Sequence, residues 1–114
     1  MDPEARRALE RELAALAEDF AARLPARMAD IDAAWQQAEE ARWHAGALDS
    51  LYRLCHSLAG AGGTFGFIAV GEAARELTEW LRPLQHGPGD AVAEPRPDLL
   101  RLLQDAVRAV SAPG

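Results

Sequence analysis

Apolar residues recur at intervals of three and four along most of the chain, and each such run predicts an amphipathic helix. Leu9, Leu13, Leu16 and Phe20 make the first stripe. Asp2, Pro3 and Glu4 precede it in the order of a cap, a first-turn proline and an acid at the positive helix end. Leu24, Met28, Ile31, Trp35 and Ala38 continue nearly the same stripe beyond Pro25. Pro25 either kinks one long helix or divides two, since proline is accommodated without loss only in a first turn. A break is expected, with helices over about 3–24 and about 25–41.

A short connection around Trp43, His44 and Gly46 leads to a third helix over about 47–62. Its core face is Leu48, Leu51, Leu54, Cys55 and Leu58. Gly62 and Gly63 are expected to end it, because glycine tolerates the left-handed cap. Thr64, Phe65, Gly66 and Phe67 then form a turn pinned by two aromatic rings. The spacing predicts a fourth helix over about 68–84. Val70, Ala73, Ala74, Leu77, Trp80, Leu81 and Leu84 share its apolar arc, with Glu72, Arg75, Glu79 and Arg82 opposite. Gly87, Pro88, Gly89, Pro95 and Pro97 mark a loop over about 85–97. A last helix over about 98–110 sets Leu99, Leu102, Leu103, Ala106 and Val110 on one face.

The fold class that follows is all-α: an antiparallel four-helix bundle with an additional N-terminal helix. The 114 residues suit a single domain, with its core over about 25–111. Composition agrees. There are 25 alanines, the residue that loses least on entering a helix, and few β-branched residues to favour a sheet. The net charge is −6, and all twelve basic residues are arginine. With no basic tract, neither nucleic acid nor an anionic membrane is an expected partner. The lone Cys55 excludes an internal disulfide and a multi-cysteine zinc site. No apolar run is long enough to span a bilayer, and Met1, Asp2, Pro3 and Glu4 do not open a secretory signal. A cytoplasmic, reduced setting and a monomer are expected.

The informative segment runs from Cys55 to Phe67. With the core centred on Leu51 and Cys55, His56 lies roughly 130° round the helix, toward solvent. Gly60 and Gly63 fall on the same side, and Tyr52 and Ala59 flank the boundary with the core. Glycine inside a helix costs about 1 kcal/mol relative to alanine, so Gly60 needs a reason. Clearance beside His56 for an approaching protein supplies one. Imidazole is a nucleophile that is partly neutral at physiological pH, and the phosphorus–nitrogen bond it forms is labile.

This segment resembles the histidine phosphotransfer domains of multistep phosphorelays. Their motif is a histidine, any residue, a leucine, a lysine and a glycine, with a second glycine further on. His56, Leu58, Gly60 and Gly66 match it, and the surrounding helical pattern extends the resemblance over about 13–110. The resemblance implies that His56 carries phosphate on Nε2. It implies partners that are receiver domains, of a hybrid histidine kinase or of a response regulator, docking over Tyr52, Gly60 and Gly63. The Mg²⁺ would sit on the receiver, leaving this chain no cofactor or metal of its own and the part of a carrier rather than an enzyme. Ser57 joins the imidazole environment. Two positions depart from the family. Ala59 replaces the usual lysine, with Arg53, one turn before His56, as a candidate substitute for its charge. Thr78 replaces the glutamine or glutamate that bonds the imidazole, and its hydroxyl has a shorter reach.

Plainer readings stand beside these. His56 can be an ordinary surface histidine, Arg53 a solvated arginine and Thr78 a helix-edge hydroxyl. His44 and His86 read as solvated loop residues, and Glu39 and Glu40 as a solvated helix end. No histidine pair has the spacing of a helical metal site. Cys55, Trp35 and Trp80 read as packing residues. Trp43 either covers the bundle end or meets a partner. Three other functions compete: a degenerate module that binds a receiver without accepting phosphate, the dimerisation part of a histidine kinase, and a plain scaffold. The second lacks room for a nucleotide-binding domain, and the third leaves Gly60 and Gly63 unexplained.

Overall fold

Asp2 starts the first helix by accepting the Ala5 N–H at 2.7 Å, and Pro3 fills the first turn. The computed structural model describes residues 1–85 and 92–111. Their elements are α1 (Pro3–Glu40), a 3₁₀ turn (Ala45–Ala47), α2 (Asp49–Thr64), α3 (Ile68–Gln85) and α4 (Pro97–Ser111). The expected break at Pro25, and with it the separate N-terminal helix, is absent: α1 runs on for 38 residues. Pro25 lies on the exposed face, where water can satisfy the carbonyl it frees. Phe20 and Leu24 before it, and Met28 and Ile31 after it, are buried in one core that spans the proline.

A helix of that length reaches about 57 Å, whereas α2, α3 and α4 reach only about 22–27 Å. The molecule is accordingly 56 Å along its longest axis. The first stripe therefore does not enter the core as expected. Leu9, Leu13 and Leu16 are 43%, 52% and 52% exposed, and burial begins at Phe20.

The helices pack in the ring order α1, α2, α3, α4, with α4 closing against α1. Neighbours run antiparallel. Phe20, in the first half of α1, packs its ring 5.3 Å from both Phe65 and Phe67, just beyond the end of α2. At the other end, the Ala93 N–H donates to the Trp43 carbonyl at 2.8 Å, and a single bridge pairs His44 with Val92. This ties the approach to α4 onto the end of α1. Gln104 Nε2 also donates to Asp32 Oδ1 at 3.0 Å, across α4 and α1. Of the expected loop over 85–97, Gln85 ends α3, Pro97 begins α4, and residues 86–91, including His86, lie outside the described residues.

Trp43 covers the bundle end. It is buried, with its ring 4.7 Å from Trp35 and 6.0 Å from Trp80. Arg42 and Trp43 turn the chain there with φ of 56° and 60°, an uncommon conformation for residues that carry a Cβ. Trp35 Nε1 donates to Glu39 Oε1 at 2.8 Å, so Glu39 is more than a solvated helix end. Several core assignments shift. Leu54, Trp80, Leu84, Ala106 and Val110 are half-buried, and Leu102 is 48% exposed. On α4 the buried positions are Leu99, Leu100, Leu103 and Val107, an arc rotated to meet both α1 and α3.

The glycines of α2 divide in a way the sequence reading missed. Gly62 and Gly63 do not stop the helix. Gly66 does, at φ +83°, with the Phe67 N–H donating to the Gly62 carbonyl at 2.9 Å and the Gly66 N–H to the Gly63 carbonyl at 3.4 Å. Gly62 is instead the point where α2 crosses α3. A Cβ there would stand 2.9 Å from the backbone nitrogen of Gly71, and one on Gly71 would stand 3.1 Å from that of Gly63. Gly62→Ala must push two backbones apart, so unfolding in urea should show a loss of about 1–3 kcal/mol. A midpoint equal to that of the wild type would contradict the close crossing.

Candidate functional site

The site follows from the register of α2. Leu51, Cys55, Leu58 and Gly62 are buried, which leaves His56, Gly60 and Gly63 on the exposed side. A Cβ on Gly60 or on Gly63 would meet nothing within 4 Å. The surface beside the imidazole is therefore bare backbone for nearly two turns. The Gly60 carbonyl is held by the Thr64 hydroxyl, which donates to it at 2.9 Å.

One side chain orients the ring. Tyr52, one turn earlier, lies with its plane 6° from that of His56 and its centroid 5.8 Å away. The near-parallel offset pair fixes one face of the imidazole and leaves the other open. The sequence reading placed Tyr52 on the docking face; its contact with the imidazole is new.

Both substitutes proposed for the family's polar groups have other partners in the structure. Arg53 Nε pairs with Asp49 Oδ2 at 2.9 Å, so its side chain reaches back toward the start of α2 and away from His56. Both groups are well exposed, and the pair adds little stability. The Thr78 hydroxyl donates to the Ala74 carbonyl at 2.8 Å and is buried at 1% exposure. α3 turns this position into the core, and donating its hydrogen leaves the hydroxyl oxygen with lone pairs that can still accept a bond. Ser57 is exposed next to His56, and Ala59 is half-buried. Burial pushes the Cys55 thiol up from 9.0 to about 12, so it stays protonated at neutral pH and serves as packing.

Ala59 and Gly63 also line an open groove of about 220 Å³ between α2 and α3. Ile68, Gly71, Glu72 and Arg75 complete it. The sequence reading placed Glu72 and Arg75 only on the polar side of their helix. What would have located them is the pairing of Gly62 with Gly71, which aligns that side of α3 with the open side of α2.

Comparison with protein families matches residues 15–113 to the Hpt domain, and the chain belongs to that family. Its members carry phosphoryl groups in two-component signalling. Comparison with curated proteins and with solved structures finds no match.

Gly60 is an exposed residue in the interior of α2 with free space around it. If clearance is its only purpose, Gly60→Ala should raise stability by about 0.5–1 kcal/mol. Urea denaturation measures this, and a loss of stability would mean that the position is packed.

Proposed function

We propose that this chain relays a phosphoryl group between aspartates of receiver domains, with His56 as the carrier. The observation behind the proposal is an exposed imidazole, stacked on one face against Tyr52 and flanked by glycines with open space around them. In the step toward this chain, the lone pair of Nε2 attacks phosphorus while the proton resides on Nδ1. The phosphorus–oxygen bond of the aspartyl phosphate breaks, and its electrons return to the carboxylate. The phosphorus–nitrogen bond that forms is reversed at the next receiver. Charge stabilisation during transfer belongs largely to the receiver and its Mg²⁺. This chain supplies the nucleophile and the docking surface and turns over only with partners.

No described helix is long and apolar enough to cross a membrane. We place the relay in the cytoplasm, with the receivers of a hybrid kinase or a response regulator. Ala59 favours one other reading, a module that binds a receiver without accepting phosphate. Incubation with a phosphorylated receiver separates the two. The relay requires acid-labile, base-stable label on the wild type and none on His56→Gln. Receivers that bind both proteins and label neither would establish the binding module instead.

A further inference from the structure

Resting on the phosphocarrier reading, we infer that Arg75, from the neighbouring helix, is the cation that contacts the phosphoryl group on His56. A dianionic group on an exposed imidazole gains from a nearby cation. On α2 itself the position one turn beyond His56 is Ala59, which carries no charge, and Arg53 leans back toward Asp49, away from the imidazole. The groove beside Ala59 contains one cation, Arg75, and one anion, Glu72. Arg75 forms no ion pair among the described residues, so its guanidinium is free to turn.

Register brings it to the right level. Gly62 opposes Gly71, and in an antiparallel pair each step forward on α3 is a step back on α2. Arg75 thus stands level with Leu58, about 3 Å along the axis from His56. Glu72 stands level with Ala61, about 7.5 Å from it on the same measure. Along the axis Arg75 is therefore nearer the imidazole than Glu72, while Glu79, outside the groove, stands level with Leu54 and as near on the other side. Arginine also suits the task, since its planar fork can hold two phosphoryl oxygens at once. Because the helices meet glycine to glycine, a long side chain on α3 can cross to the edge of α2 at a point where Ala59 leaves room.

The test avoids any partner protein. Phosphoramidate phosphorylates accessible imidazoles: its own phosphorus–nitrogen bond breaks, ammonia leaves, and the phosphoryl group bonds to the ring nitrogen. The ³¹P resonance lost in His56→Gln identifies phospho-His56. Its pH titration reports any cation in contact with the phosphoryl oxygens, because such a cation favours the dianion and lowers the midpoint. Arg75→Ala should raise that midpoint by about 0.5 pH unit, a figure reduced for solvent exposure. Arg75→Lys should keep it near the wild-type value, and Ala59→Lys added to Arg75→Ala should bring it back down. A mere change in packing would move thermal stability and leave the midpoint in place. An unchanged midpoint in Arg75→Ala overturns the inference. Failure of transfer from every receiver, with the midpoint still moving, would overturn the relay and leave the Arg75 contact standing.

Discussion

The contact on which the site depends is the approach of two backbones at Gly62 and Gly71. A single Cβ on either residue would meet the opposite main chain at 2.9–3.1 Å. This crossing sets the distance between α2 and α3, and with it the rotation of α2. Leu51, Cys55 and Leu58 face the core because Gly62 must face α3, and His56, Gly60 and Gly63 are left outside. The glycines of one helix thus stand in opposite surroundings. At Gly62 the missing side chain admits a neighbouring helix of the same molecule, and at Gly60 and Gly63 it leaves open space beside His56.

The ends of the bundle hold this arrangement in place. At one end Phe20, Phe65 and Phe67 join the middle of α1 to the turn after α2. At the other, the tryptophan cluster and the Trp43–Ala93 hydrogen bond join α1 to the approach to α4. His56 lies between these two clamps on a helix of 16 residues. A carrier that must present the same face to successive partners benefits from such rigidity, since transfer needs the reacting atoms aligned and close.

Much of this was legible from residue spacing. Periodicities of three and four located every described helix, and the angle of His56 from the Leu51–Cys55 centre placed it in solvent. The failures share one cause: local rules describe a residue's own helix and not its neighbours. Pro25 reads as a break because the burial on both sides of it that keeps α1 one helix is supplied by tertiary packing. Leu9, Leu13 and Leu16 read as core because periodicity cannot reveal that the partner helices are shorter. Gly62 reads as a terminator because the crossing with Gly71 joins residues on two helices. The bonds of Thr78 to the Ala74 carbonyl and of Arg53 to Asp49 become clear only with side-chain directions. Membership of the Hpt family rests on the match over residues 15–113, and the motif at His56, Leu58, Gly60 and Gly66 lies within it.

Under the proposed relay, a receiver reaches His56 across the bare glycine face of α2. Gly60→Leu tests it directly, with single-turnover transfer from a phosphorylated receiver measured beside chemical phosphorylation by phosphoramidate. The small reagent needs only an exposed imidazole, whereas a protein needs the cleared surface. Receiver transfer should fall by about 10²-fold, as misalignment of about 1 Å would produce, while chemical labelling stays unchanged. Receiver transfer at the wild-type rate would contradict it and move the docking surface away from the glycine face.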